Sequence, residues 1–336
     1  MKKRKNYKPL IALVTFVILS ATGVVYTVGM TPANPLGAKN ADEDMAYLLE
    51  RQTRRVKELV TFQCEEIGRR SSRFSAQQRR FDEWLEFSLA AQGLKVTVEP
   101  YAANNSRGKN FIGVKHGRGE GVILVGTHYD SYGKSPCANA VATGVATVIE
   151  TAHLLQTVGT EKTIIFALFG TGERPHRGSD TAGAHVWVNK YLEEGGKLDM
   201  ALIVGSFGMW NDAEGSHAAS FPWKYSVPKT ADWAGVYGGL SGRGVVVDVL
   251  NTWALVTDLP ARGFAAPSWF PGIAGEDQVP FQKAGIPAVL ISDSGTERTP
   301  SLRTEYDNPY ELDFVEMTRR VQAFADLVKA YSGADD

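Results

Sequence analysis

The chain has 336 residues, 43% hydrophobic and 22% charged, a balance typical of a folded protein rather than a disordered one. Lysine and arginine total 36 and aspartate and glutamate total 37, for a formal net charge of -1. This excludes the strong basic excess of a general nucleic-acid binder, and we expect no nucleic-acid partner. Two cysteines, Cys64 and Cys137, are too few for a disulfide scaffold or a CxxC zinc ribbon. They form either one disulfide or two separate buried thiols.

The N-terminus has the pattern of a membrane anchor. Residues 1–8 include five basic residues and no acid, and residues 9–30 carry no charge. A helix needs about 20 apolar residues to span a bilayer, and a basic flank stays in the cytoplasm. We therefore predict a cytoplasmic flank at 1–8, a signal anchor at 9–30, a linker at 31–42 and one extracytoplasmic domain at 43–336. The alternative is a signal peptide whose cleavage releases a secreted domain.

Helix-like and strand-like segments alternate through the body of the chain. Apolar residues recur at helical spacing in six segments, near 44–66, 75–93, 140–156, 182–194, 244–257 and 312–330. Strand-like runs fall at 95–101, 110–116, 121–126, 163–169, 200–205 and 288–292. The fully apolar runs are typical of inner strands covered on both faces. The sequence therefore predicts a single three-layer α/β domain with a mostly parallel central sheet and helices on both faces.

Polar side chains follow three of the apolar strands. His128 and Asp130 follow the first inner strand, Glu173 follows the second, and Ser206 follows the third. Ligands of open α/β sheets bind beyond the carboxyl ends of the strands. An imidazole and carboxylates at these positions are the groups that a zinc site uses, with a further carboxylate to orient the histidine.

Five motifs occur in a fixed order along the chain. They are Ile67-Gly68-Arg69-Arg70-Ser71-Ser72, His128-Tyr129-Asp130-Ser131, Thr143-Gly144-Val145-Ala146, Glu173 with Gly178-Ser179, and Gly285-Ile286-Pro287-Ala288. In these motifs and their order, residues 44–332 resemble the M28 family of zinc aminopeptidases, which also contains the glutaminyl cyclases. The resemblance implies a zinc-exopeptidase-like fold and a two-metal site beside a catalytic glutamate.

The resemblance places retained and substituted residues in that site. The first metal-ligand histidine falls on His128 and the metal-ligand glutamate on Glu173, and both are present. Asp130 and Asp277 are predicted to orient the metal ligands without binding a metal themselves. The remaining family positions are substituted: the bridging aspartate falls on Asn139, the other aspartate on Ser206, the second histidine on Arg303 and the catalytic glutamate on Gly172.

These substitutions remove the chemistry that a zinc peptidase needs. Gly172 has no side chain to accept a proton, and Arg303 is a permanent cation without a lone pair. We expect the Arg303 guanidinium to occupy the place of the lost zinc and to pair with Glu173 or Asp130. The favoured interpretation is a pseudoenzyme that binds a peptide or protein in the relict cleft and needs no cofactor.

An alternative keeps catalysis. A rearranged, mononuclear zinc site built from His128, Glu173, His176 and Cys137 would make an active aminopeptidase or glutaminyl-cyclase-like enzyme. Two other enzyme classes lack their motifs, because no G-x-S-x-G elbow and no G-x-G-x-x-G loop follows an inner strand.

Overall fold

The computed structural model describes residues 43–71, 75–218, 227–270, 273–293 and 295–334. The predicted anchor at 9–30 and its flanks lie outside these residues. Within the described ranges, no helix has the length and apolar character needed to cross a bilayer.

Eight strands form one mixed sheet. They are β1 (Lys95–Ala103), β2 (Ser106–Lys115), β3 (Val122–His128), β4 (Thr163–Phe169), β5 (Met200–Val204), β6 (Ala234–Gly239), β7 (Ala261–Ala266) and β8 (Ala288–Ser292). Their spatial order is β1-β2-β4-β3-β5-β8-β6-β7. The inner strands β4, β3, β5 and β8 run parallel to one another. On one side β2 pairs antiparallel with β4 and β1 pairs antiparallel with β2. On the other side β6 pairs antiparallel with β8 and parallel with β7. The predicted α/β layering is confirmed, with the sheet mixed rather than nearly all parallel.

Seven α-helices cover the two faces of the sheet within the described ranges. They are α1 (Glu43–Thr61), α2 (Ser75–Ala90), α3 (Thr143–Leu154), α4 (Gly183–Glu193), α5 (Arg243–Val256), α6 (Gln278–Lys283) and α7 (Phe314–Tyr331). Two π-helical turns, Phe62–Ile67 and Ala138–Ala142, follow α1 and precede α3. Because strand side chains alternate, Ile123 and Val125 pack with the layer of α1, α3, α5 and α7, and Leu124 packs with α4 and α6.

Strands β6 and β7 are absent from the sequence prediction. Their segments are rich in glycine and alanine and carry few of the β-branched residues that mark a strand. Pairing with β8 and with each other makes them strands, so tertiary contacts override weak local preference.

Candidate functional site

The site lies where the parallel inner strands end. His128 is the last residue of β3, the loop carrying Gly172 and Glu173 follows β4, Ser206 follows β5, and the residues after β8 lead to Arg303. Parallel strands bring their carboxyl ends to one edge of the sheet, so residues far apart in sequence meet there.

His128 is held between two carboxylates. Its Nδ1 lies 2.9 Å from Asp277 Oδ2, and its Nε2 lies 3.6 Å from Glu173 Oε1, an ion-pair rather than a hydrogen-bond distance. The side chain is 9% exposed, and burial favours the neutral ring. The Asp277 and Glu173 carboxylates outweigh burial and raise the pKa of His128 to about 10. His128 is therefore a cation at neutral pH, as are Arg303 and Arg177, whose charges also act on Glu173.

We predict that this charge makes stability fall in alkali. The folded-state pKa lies above the ordinary value of 6.5, so the stabilisation is complete below about pH 6.5 and is lost as pH rises through about 10. Between pH 7 and 10, urea titrations should show the free energy of unfolding of the native chain falling by about 3 kcal/mol more than that of His128→Gln. The exposed His116→Gln control should follow the native curve. Parallel curves for native and His128→Gln would disprove the assignment.

Glu173 binds the guanidinium of Arg303. Arg303 Nε donates to Glu173 Oε1 at 2.5 Å, and the two side chains are 21% and 1% exposed. Burial opposes ionisation of Glu173, but the neighbouring cations His128 and Arg303 lower its pKa to about 2. Of the two ion pairs considered from the sequence, the one with Glu173 is present. Asp130 instead accepts hydrogen bonds from the backbone amides of Gly172 and Glu173, at 2.7 and 3.1 Å.

Asp130 thus positions the loop that carries the family's two glutamate positions. Burial raises the pKa of Asp130 to about 6, although the nearby His128 charge opposes that shift. The carboxylate acts on the backbone rather than on the ring of His128. Of the two aspartates assigned to this role, Asp277 contacts the ring of His128, and Asp130 contacts the backbone of the loop that carries Glu173.

The ring of His128 occupies the space of a side chain at residue 172. A Cβ built on Gly172 would lie 2.3 Å from His128 Cβ and 2.4 Å from its Cγ. No glutamate fits at residue 172 while His128 holds this position. The glycine therefore does more than remove a base, because it makes room for the His128 ion pairs.

We predict that Gly172→Ala destabilises the fold by about 1–3 kcal/mol through overpacking. Urea unfolding measures the effect. Gly244→Ala is the matched control, because Gly244 lies in α5 and a Cβ there meets nothing within 4 Å. Equal stability of the two alanine variants would show that His128 moves aside freely.

Asn139 is a hydrogen-bonding hub in the π-helical turn before α3. Its side chain is buried, Nδ2 donates to Asp293 Oδ2 and Thr299 Oγ1, both at 3.1 Å, and Oδ1 accepts from the Gly208 amide at 2.8 Å. Both the NH2 group and the carbonyl oxygen of its side chain are therefore hydrogen-bonded. Its side-chain carbonyl oxygen, the atom through which an asparagine would bind a metal, instead accepts the Gly208 hydrogen bond.

Asp293 and Asp307 complete the network, and the sequence interpretation assigned neither a role. Asp293 follows β8 directly and also accepts from the amides of Met209 and Gly295, both at 3.0 Å. Asp307 accepts from the amides of Asn139 and Arg303, at 2.7 and 2.9 Å. The signal for Asp293 was available, since an acid directly after an inner strand is the pattern that singled out the His128 segment.

Ser206 is buried beside this network. Its carbonyl accepts from the amide of Asp293 at 2.8 Å and from Ser292 Oγ at 3.2 Å. Its short hydroxyl offers none of the negative charge that the family has at this position.

The donors of the alternative mononuclear site have other contacts. His176 is buried rather than solvated, with Nδ1 2.9 Å from Thr181 Oγ1 and Nε2 3.3 Å from Ser106 Oγ. The Cys137 thiol accepts from the Tyr132 amide at 3.3 Å, and both cysteines are free and buried. Over the described ranges, no three His, Cys, Asp or Glu side chains gather as a metal set.

As arranged here, the residues at the family's metal positions do not fit a zinc ion. The Glu173 oxygen Oε1, which would otherwise be free to bind a metal, accepts a hydrogen bond from the Arg303 guanidinium. Asn139 directs its NH2 group toward Asp293. Zinc needs three or four lone-pair donors, and its charge would be repelled by the guanidinium.

Comparisons with known proteins agree with the motif analysis. The model of peptidase family M28 matches residues 110–212. The chain is 26% identical over 261 residues to the uncharacterized protein YfbL of Escherichia coli K12, covering 74% of this chain and 79% of YfbL. It is 27% identical over 242 residues to aminopeptidase YwaD of Bacillus subtilis, covering 71% of this chain but only 47% of YwaD. The chain thus spans about half the length of YwaD.

Solved structures share the fold at low sequence identity. The zinc aminopeptidase BSAP from Bacillus subtilis superposes with a TM-score of 0.65 at 14% identity, covering 84% of this chain and 98% of BSAP. A glutaminyl cyclase from Porphyromonas gingivalis superposes with a TM-score of 0.64 at 16% identity, covering 83% and 98%. At these identities the likeness establishes the fold alone.

Proposed function

Because the resemblance to the M28 peptidase family is confirmed by the match at residues 110–212, we propose that this chain is a peptide-binding pseudoenzyme. It holds no catalytic zinc, and its relict active-site cleft binds a peptide or a peptide segment of a protein. The observation that carries the proposal is the hydrogen bond from Arg303 Nε to Glu173 Oε1 at 2.5 Å.

The Arg303 guanidinium supplies a positive charge beside Glu173, as a metal ion would in a zinc aminopeptidase such as BSAP. A buried glutamate is costly unless a cation compensates it, and Arg303 does so with a directed hydrogen bond. Unlike a metal, a guanidinium has no vacant coordination position, so it neither polarises a water molecule into a nucleophile nor releases its own proton at neutral pH. Glu173 and Arg303 therefore stabilise the site without activating water.

The proton-transfer machinery is also missing. In metal-assisted hydrolysis a side chain within hydrogen-bond reach of the nucleophile takes its proton, and Gly172 offers none. Glu173 is a poor substitute, because its pKa of about 2 makes it a weak base. The neighbouring His128 is protonated at neutral pH and has no free lone pair for this task.

Peptide binding is the part of the ancestral function that needs no metal. Clefts beyond the carboxyl ends of parallel strands are binding sites in many α/β folds, whatever chemistry follows. Relatives named aminopeptidases support a peptide as the ligand. We further propose that residues 9–30 anchor this domain to a membrane, with the N-terminus in the cytoplasm and the domain on the opposite, periplasmic or extracellular, side. Protease that reaches the non-cytoplasmic face of that membrane should cut the domain, and protection of the domain until the membrane is dissolved would contradict the proposed orientation.

The test of function is an assay for turnover and binding on the same preparation. The full-length chain, purified in mild detergent with added zinc, should show no hydrolysis of aminoacyl-p-nitroanilides and no cyclisation of N-terminal glutamine above a zinc-only blank. It should nevertheless bind members of a random pentapeptide mixture in equilibrium dialysis. Turnover that disappears in His128→Ala would overturn the proposal, and so would the absence of any peptide binding.

A further inference from the structure

The far end of the Arg303 side chain has no partner among the residues that the structure describes. Its Nε is used by Glu173, and no acceptor in the described part of the chain lies within hydrogen-bond distance of its two terminal amino groups. The side chain is 21% exposed, and its two terminal nitrogens are not among the buried atoms that lack a partner, so they are open to solvent. Charged neighbours are engaged with one another, since Arg177 binds Glu276 and His128 binds Asp277.

Two terminal amino groups of one guanidinium form a planar fork of donors. A guanidinium only donates hydrogen bonds, so a group that binds this fork must be an acceptor. The geometry of the fork matches the two oxygens of a carboxylate, which accept two parallel and charge-assisted bonds. A peptide amino terminus does not bind this fork, because the protonated amine and the guanidinium are both positively charged and both only donate hydrogen bonds.

The fork is held in place before any ligand arrives. Glu173 fixes Nε, and Asp307 accepts from the Arg303 backbone amide at 2.9 Å. The Arg303 backbone itself has φ of +63°, a left-handed conformation that costs a non-glycine residue free energy and persists only where the surroundings impose it. Pre-organisation of this kind lowers the entropic cost of binding.

We propose that Arg303 makes the relict cleft a carboxylate-binding site, so that the bound peptide is held by an acidic group rather than by its amino terminus. The inference rests on the proposed peptide-binding function and specifies its ligand. The carboxylate comes either from the C-terminus of the peptide or from an aspartate or glutamate side chain. The substitution of a histidine position by arginine thereby changes what the cleft recognises as well as removing a metal ligand.

Three matched pentapeptide mixtures test the proposal by equilibrium dialysis against the full-length chain in mild detergent. All are N-acetylated: one has a free C-terminal carboxylate and no acidic residue, one is amidated with one Asp or Glu, and one is amidated without acidic residues. At least one carboxylate-bearing mixture should bind about tenfold or more tightly than the third mixture. Comparison of the first two identifies the source of the carboxylate.

Variants assign the effect to Arg303. The preference should vanish in the double variant Arg303→Gln/Glu173→Gln, which removes the fork without leaving a buried unpaired charge. It should persist in Arg243→Gln, which removes an exposed arginine elsewhere. Equal binding of all three mixtures, or a preference that survives the double variant, overturns the carboxylate site while leaving peptide binding intact. No binding of any mixture overturns the proposed function as well.

Discussion

Replacing Arg303 with glutamine is expected to lower the free energy of unfolding by about 3 kcal/mol, since removing one partner of a buried ion pair leaves the other uncompensated. Glu173 is 1% exposed, so water cannot take the place of the guanidinium. His128 remains 3.6 Å away and limits the loss. Glutamine meets the same left-handed backbone requirement as arginine, so the change reports on the side chain. Urea unfolding at pH 7 measures it.

A double variant separates charge from packing in this experiment. Arg303→Gln/Glu173→Gln has no buried carboxylate to compensate, so it should recover most of the lost stability. Arg54→Gln is the surface control, because the Arg54–Glu50 pair is exposed and should cost less than about 1 kcal/mol. If Arg303→Gln cost no more than Arg54→Gln, Arg303 would not be what stabilises Glu173.

Introducing at residue 139 the carboxylate that the family resemblance assigns there is the second large perturbation. Asn139→Asp is nearly isosteric, but it replaces an NH2 donor to Asp293 Oδ2 by an oxygen at the same 3.1 Å. Two buried carboxylates at this distance repel each other, so the pKa of one must rise. We expect a loss of about 3 kcal/mol at pH 7, from the lost hydrogen bond and the repulsion together.

The pH dependence gives this loss a distinct signature. The raised pKa keeps one carboxyl protonated in acid, where it can again donate to its neighbour, so the loss should shrink as pH falls from 7 toward 4. The exposed Asn211→Asp should stay within about 0.5 kcal/mol of the native chain throughout. The swap Asn139→Asp/Asp293→Asn should recover part of the loss. A stable Asn139→Asp chain would show that the network tolerates the ancestral charge.

Residues 303, 139 and 172 belong to one network of contacts, which Arg303→Gln, Asn139→Asp and Gly172→Ala each change at a different point. Arg303 binds Glu173, Asn139 binds Asp293, and His128 occupies the space beside Gly172. At residues 139 and 172 the carboxylate that the family resemblance assigns could not take part in this arrangement, because it would face Asp293 or overlap His128. The site is therefore a hydrogen-bonded and ion-paired network in its own right, and a substitution at any of the three positions is expected to disturb it.

The layered fold could be predicted because it depends on long periodic segments. Six helices and the apolar inner strands have patterns that tertiary contacts reinforce. Strands β6 and β7 could not be found this way, since Ala234–Gly239 and Ala261–Ala266 become strands through pairing rather than composition. The two π-helical turns likewise depend on contacts, such as the bond from Gln63 Nε2 to the Ala142 carbonyl at 3.1 Å.

The site positions followed from the motifs, whereas their contacts did not. The ends of the inner strands placed His128 and Glu173 near one sheet edge, and the family resemblance placed Arg303 in the same site. The sequence could not show that Asp293 faces Asn139, since 154 residues separate the two along the chain. Nor could it show that the His128 ring fills the space beside Gly172, because that depends on side-chain direction rather than on residue type.

Zinc content distinguishes a site held by the Arg303–Glu173 ion pair from a site that binds a metal. The full-length chain, purified in mild detergent, is incubated with excess zinc, desalted and analysed for zinc per chain, with His128→Ala treated in parallel. The Arg303-centred network predicts that both proteins retain zinc well below one ion per chain, because no three candidate donors come together among the residues that the structure describes. One or more tightly held zinc ions in the native chain, lost in His128→Ala, would contradict it.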